Sequence, residues 1–140
     1  MLRALGVEVY AYSKEIAGIV IDPKRADRSN ISKSPLYMPD LEASAQAEDA
    51  LMACMQEQDS AGGVIECVVH GMPVGVGVGE PVFDKLDAKL AQAVMSIGAV
   101  KGVEIGDGFW QHKAAAHSLT TVLLCTTALF VLRQIMPAEF

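Results

Sequence analysis

The sequence predicts an ordered domain of mixed helices and strands, and three observations carry that prediction. Of its 140 residues 51% are apolar and the mean hydropathy is +0.31, which is ample for the core of one domain and argues against disorder. Residues 6–20 alternate in the manner of a strand or hairpin, whereas two later stretches repeat their apolar residues at helical spacing. The resulting order is strand, helix, strand, helix, strand. It is compatible with an α+β fold but does not by itself select one.

In GVEVYAYSKEIAGIV, residues 6–20, the alternation predicts Val7, Val9 and Ala11 on one face. Residues 29–40 then punctuate the chain with Ser-Pro and Met-Pro steps, which push the preceding residue out of helical geometry. Asp40 is placed to cap a helix running through Gln58, with Ala47, Ala50, Leu51, Cys54 and Met55 as its apolar stripe. Ser60 to Gly63 closes it. Residues 63–71 are rich in β-branched side chains and apolar on both sides of the backbone, which predicts a well-covered strand. After a Gly-rich turn, Phe83, Leu86, Leu90, Ala93, Val94 and Ile97 predict a second helix, with Asp84, Lys85, Asp87 and Lys89 on its other face. Residues 99–105 read as a third strand, ended by Gly106-Asp107-Gly108.

A net charge of -6 and a pI near 4.9 argue against a nucleic-acid partner, which needs a basic face to displace counterions from phosphate. The basic residues that cluster, Lys24, Arg25, Arg28 and Lys33, have no aromatic residues interleaved for base stacking and read as a solvated loop. Cys54, Cys67 and Cys125 lie far apart without a CxxC pair, so they read as small buried thiols in a reducing compartment. No secretory signal is evident after Met1, and a cytoplasmic location is expected.

Several constellations could carry chemistry, and each has a plainer reading. Gly75, Gly77 and Gly79 follow a strand, but a dinucleotide loop requires GxGxxG opening directly into a helix, and here Glu80 and Pro81 intervene. Cys67 and His70 are two potential metal ligands without a third of matching spacing, so no metal site is expected. Asp59 and Ser60 lack any base tied to them by sequence order, whether His70, His112 or His117, and read as helix-end chemistry. Asp84 and Asp87 fall one helical turn apart, a spacing useful for acid and base work, yet a helix's first turn favours solvated carboxylates through its dipole. No catalytic residue is assigned.

The stretch from Asp59 to Phe109 resembles the middle of chorismate synthase. Asp59, Ser60, Gly62, Gly63 and Glu66 are similar to that family's DSxGGxxE, the run from Gly79 to Ala88 to its GEPVFDKLDA, and Met95 to Gly102 with Gly106 to Phe109 to its MSIxAVKG and GDGF. The resemblance implies an α+β sandwich, with helices packed between antiparallel sheets. It implies a homotetrameric lyase of aromatic amino-acid biosynthesis in the shikimate pathway, a flavoprotein with NADP among its associated nucleotides. It further implies reduced FMN as cofactor and elimination of phosphate from 5-enolpyruvylshikimate 3-phosphate to give chorismate. Gly98 and Ala99 align with the pair that contacts FMN in the family, where small residues let the backbone approach a planar ring. A helix C-terminal glycine is the plainer reading of Gly98, and both can hold.

The chain also departs from the family. That substrate carries two carboxylates and a phosphate and needs clustered arginines and lysines. The family's Arg-rich segments, its GGRxSxRE stretch, its two catalytic histidines, its KPT segment and its late RxD have no match here. Beyond Phe109 the pattern stops. Back-translating Arg133 to Phe140 as CGA CAA ATC ATG CCG GCG GAA TTC and reading from the third base yields Thr-Asn-His-Ala-Gly-Gly-Ile, a family motif. The expectation is therefore residues 1–109 as the central portion of a chorismate synthase domain and 110–140 as an out-of-frame tail, the whole being an incomplete and inactive copy. The apolar run Leu119 to Leu132 is too short for a bilayer, which needs about 20 residues, so no membrane association is expected. Two other classes stay open: a nonenzymatic acidic α+β interaction module, and a small dinucleotide-binding domain resting on the Gly75 to Gly79 turn alone.

Overall fold

The computed structural model describes residues 2–73, 82–106, 108 and the backbone of 125–131. The described strands form one sheet in the order β2-β1-β3-β5-β4, where β1 is Glu8–Ile16, β2 Ile19–Val20, β3 Gly62–His70, β4 Val100–Ile105 and β5 Cys125–Val131. Two helices accompany it, α1 at Leu41–Gln56 and α2 at Leu86–Met95. The Ala17 N–H donates to the Gly62 carbonyl at 2.9 Å, and Tyr10 lies beside His70, so β1 and β3 run antiparallel. The chain divides into two compact units, one of residues 12–65 with 129–140 and one of residues 1–11 with 66–128.

In the unit of residues 12–65, the hairpin pairs Glu15 with Val20 and Ile16 with Ile19. Its two-residue turn places Ala17 at φ 52° and Gly18 at φ 81°, the two positive values that match the strands' right-handed twist. The three residues that alternation put on one face do not share one environment, since Val7, just before β1, is 4% exposed. Val9 is 45% exposed and Ala11 is exposed, while Tyr10 and Tyr12 are half-buried. The strand turns its larger rings inward because they remove more apolar surface from water. Tyr12, Ile16, Ile19 and Leu36 pack against a core of Ile21, Met38, Ala43 and Ala47.

Helix α1 begins where the sequence placed it. The Asp40 carboxylate accepts from the Glu42 and Ala43 N–H groups at 3.1 and 3.3 Å, capping the helix, and also from Asp22 N–H at 3.1 Å. Arg25 closes the cluster, pairing with Asp40 at 3.3 Å and also with Asp22 and Glu42. Burial pushes the Asp40 carboxyl up, but the three N–H donors and Arg25 outweigh it and hold it below the ordinary carboxylate range. The helix's inner stripe starts earlier than predicted, with Ala43, Ser44 and Ala47 buried, and Met55 is 73% exposed.

Ser34 is a second polar node. Its hydroxyl accepts from the Leu36 and Met38 N–H groups, both at 3.1 Å, which directs its own proton to Ser44 Oγ at 2.8 Å. Ser44 in turn donates to Glu48 at 3.2 Å. Among the described residues no buried side-chain nitrogen or oxygen lacks a partner.

In the other unit, Tyr10 and His70 stack with ring centroids 5.6 Å apart and planes at 18°. Gly71 adopts φ 79°, and a Cβ there would overlap the Gly6 carbonyl oxygen, so only glycine fits this crossing. Helix α2 packs on β4. It is shorter than its periodicity predicted, because Phe83 sits outside it at φ 77°. Leu86, Leu90 and Val94 share its half-buried face and Lys89 lies opposite, exposed. No residue of α2 is fully buried.

Candidate functional site

The turn between α2 and β4 holds Gly98 and Ala99, the two residues that the family resemblance singled out. At the end of α2 the Ser96 N–H donates to the Gln92 and Ala93 carbonyls at 3.1 and 3.3 Å. The Ser96 hydroxyl donates to the same Ala93 carbonyl at 2.6 Å. These bonds satisfy acceptors that every helix C-terminus leaves unpaired. Ile97 N–H then donates to Val94 at 3.1 Å, and Val100 N–H returns to the Ile97 carbonyl at 3.3 Å. That last bond closes a four-residue turn with Gly98 and Ala99 at its centre.

The turn's residue order runs against its geometry. Ala99, in the second central position, has φ 69°, which in such a turn calls for glycine. The glycine instead precedes it. A non-glycine residue held in the left-handed region costs about 1 kcal/mol or more and persists only where its surroundings fix it. The turn is flanked by the Ser96 cap on one side and by Val100, 5% exposed, on the other. Gly98 is exposed, and a Cβ built on it would meet nothing within 4 Å. At Gly98 the turn thus offers open backbone, with no described atom within 4 Å of where a Cβ would stand.

The other described candidates have structural partners. The motif glycine Gly63 stands where a Cβ would come 2.8 Å from the Glu15 carbonyl oxygen, so close strand approach explains it. Asp59 turns its carboxylate onto the Ser60 N–H at 2.8 Å, as helix-end chemistry would have it. Cys67 and His70 are three residues apart on β3 and therefore face opposite sides of the sheet; no group of three metal-ligating side chains occurs among the described residues. Burial also raises the Cys67 thiol's pKa, which makes it a poor nucleophile. Asp84, exposed, pairs with Lys89, and Asp87, half-buried, pairs with Lys85. Gly75, Gly77, Gly79, His112 and His117 lie outside the described residues.

A cavity of about 280 Å³ opens within the unit of residues 12–65, between Ile16, Leu36, Leu51 and Gly62. Its walls are almost wholly apolar, and among the described residues lining it Glu15 is the one that carries charge. Ser96, which caps the end of α2, was not singled out from the sequence, because Ile97 carried the apolar periodicity past it.

The sequence profile of the chorismate synthase family matches residues 1–125. A chorismate synthase from Lachnoclostridium phytofermentans is 57% identical over 109 residues, covering 78% of this chain and 29% of the relative. One from Dehalococcoides mccartyi is 39% identical over 154 aligned residues, covering 100% of this chain and 42% of the relative. A crystal structure of chorismate synthase superposes with a TM-score of 0.79 over 93% of this chain and 50% of that one. At 19% identity that likeness speaks for the α+β fold alone. The chain spans less than half the length of the relatives it matches here, and by residues and profile alike it belongs to the chorismate synthase family.

Proposed function

We propose that this chain supplies the central, flavin-facing segment of a chorismate synthase, a lyase that eliminates phosphate from 5-enolpyruvylshikimate 3-phosphate with reduced FMN, and that alone it does not turn over. The observation that supports the reading is the Gly98-Ala99 turn, which the family resemblance aligns with its flavin-contact pair and in which Gly98 is open and Ala99 is held at φ 69°. When bound, reduced FMN supplies electron density as phosphate leaves. The part assigned to this chain is to present the peptide groups of Gly98 and Ala99 to the flat ring and to keep side chains out of its way.

The same reading accounts for the expected lack of turnover. A trianionic substrate needs charge-assisted contacts from several cations. Among the described basic residues, Arg25, Lys85 and Lys89 are already paired with carboxylates of this chain. The family's arginine and histidine motifs have no match in the sequence. We read the intact protein as a cytoplasmic homotetramer. Residues 110–140 are read from their sequence as an out-of-frame tail; the family profile's run to residue 125 and the place of β5 inside the sheet stand against that reading, and DNA sequencing across Phe109 decides between them. Among the described residues no helix is long and apolar enough to cross a membrane.

The test is an anaerobic assay of soluble chain with 5-enolpyruvylshikimate 3-phosphate and excess reduced FMN, alongside titration with oxidised FMN. Weak, saturable perturbation of the flavin spectrum without chorismate is expected. Turnover near the ordinary range of about 1 to 10³ per second would overturn the incompleteness, and an unperturbed flavin would remove the flavin-facing reading.

A further inference from the structure

We infer that Ser96 is a positioning residue for flavin binding: its side-chain hydroxyl locks the end of α2 so that Ala99 is held in its left-handed conformation and Gly98 is presented open. The inference rests on the flavin-facing reading above and goes beyond it, since Ser96 itself needs no contact with the ring.

Three observations combine. The Ser96 hydroxyl donates to Ala93 at 2.6 Å, over and above the backbone bonds from Ser96 N–H to the Gln92 and Ala93 carbonyls. Serine thereby adds a bond that alanine could not, at the point where α2 would otherwise fray into the turn. Ala99 occupies a position where glycine would relieve the backbone strain, although a glycine stands immediately before it. Stability alone would favour the reverse order. Finally, the far side of the turn is anchored by Val100, buried on β4 and hydrogen-bonded to Ile97. The two anchors clamp a strained dipeptide whose outward side is empty, which is the arrangement of a preorganised binding surface.

The experiment is amide hydrogen exchange on the full chain with and without oxidised FMN, for the parent, Ser96→Ala, Ser96→Thr and Ala99→Gly. In the parent, FMN slows exchange at Ile97 and Val100, the two amides that hold the turn. Ser96→Ala weakens FMN affinity by about three- to tenfold, the effect of losing one hydrogen bond, and speeds Val100 exchange without ligand. Ser96→Thr keeps the hydroxyl and restores both. Ala99→Gly separates binding from folding: its unfolding midpoint holds or rises while FMN affinity falls, opposite directions that a merely structural role would not produce. If FMN protects the parent and Ser96→Ala equally, the positioning role is overturned and the flavin-facing reading stands. If FMN leaves the parent's exchange unchanged, the reading fails and the inference falls with it. Equal Val100 exchange in the unliganded parent and Ser96→Ala overturns the clamp in either case.

Discussion

Replacing Asp40 with alanine removes the acceptor on which the start of α1 and the preceding loop both depend. The carboxylate, 2% exposed, takes three backbone N–H groups and one guanidinium. Losing an N-cap costs about 1 kcal/mol, within a range of roughly 0.5 to 2. The Asp22 N–H loses its partner in a half-buried place, adding about 1 kcal/mol, the low end for an unsatisfied donor. Arg25 is 47% exposed, so its ion pair adds at most about 1 kcal/mol. The expected loss for Asp40→Ala is therefore about 2 to 4 kcal/mol in urea unfolding followed by far-ultraviolet circular dichroism. Asp40→Asn keeps one carbonyl oxygen for the cap but cannot also accept from Asp22, and should lose about half as much. The pH dependence follows from the lowered pKa of Asp40. Its contribution is fully present above the unfolded carboxyl value of about 3.9 and is lost as pH falls through the still lower folded value; Asp40→Ala should therefore flatten the acid limb. A loss below about 0.5 kcal/mol, the range of an ordinary surface substitution, would refute this account of the cluster.

Three further outcomes are expected. Gly71→Ala should destabilise by about 2 to 4 kcal/mol, since it adds overlap with Gly6 to the left-handed strain, whereas Gly18→Ala, with nothing within 4 Å of the new Cβ, should cost only the strain, about 1 kcal/mol; equal losses in thermal melts would contradict the close approach. Leu90→Ala should cost about 1 to 3 kcal/mol, less than a fully buried leucine because α2 buries only half of it, and Lys89→Ala within about 0.5; urea unfolding that ranks them equally would refute the face assignment. Iodoacetamide labelling of Cys67, followed by mass spectrometry against pH, should rise only above the ordinary thiol value of about 8.5, because burial raises its pKa; labelling already complete near neutrality would refute that.

Much of the fold was legible because local rules set it. Asp40 announced α1 as an N-cap before an apolar periodicity, and the structure uses it so. The spacing of Leu86, Leu90 and Val94 placed the inner face of α2. What failed depended on tertiary choice. Alternation said that one face of β1 is buried, but not which, and the tyrosines won over Val9 and Ala11. Phe83 fits the helical period yet sits outside α2 at φ 77°, a backbone choice that periodicity does not see. The sheet order, with β5 between β3 and β4, is a long-range pairing that no local pattern encodes. At the candidate site, Gly98 and Ala99 came from resemblance to a family, while Ser96 and the strain at Ala99 emerged only from hydrogen bonds and a dihedral angle.

The account's central claim is that residues 1–109 are a working segment of a chorismate synthase, and a chimera tests it most directly. These residues would replace the matching stretch of the Lachnoclostridium phytofermentans relative, 57% identical over 109 residues, and chorismate formation would be measured anaerobically with reduced FMN. The account predicts turnover in the ordinary enzymatic range, about 1 to 10³ per second, from the chimera. A folded, soluble chimera that binds neither flavin nor substrate and forms no chorismate would contradict it.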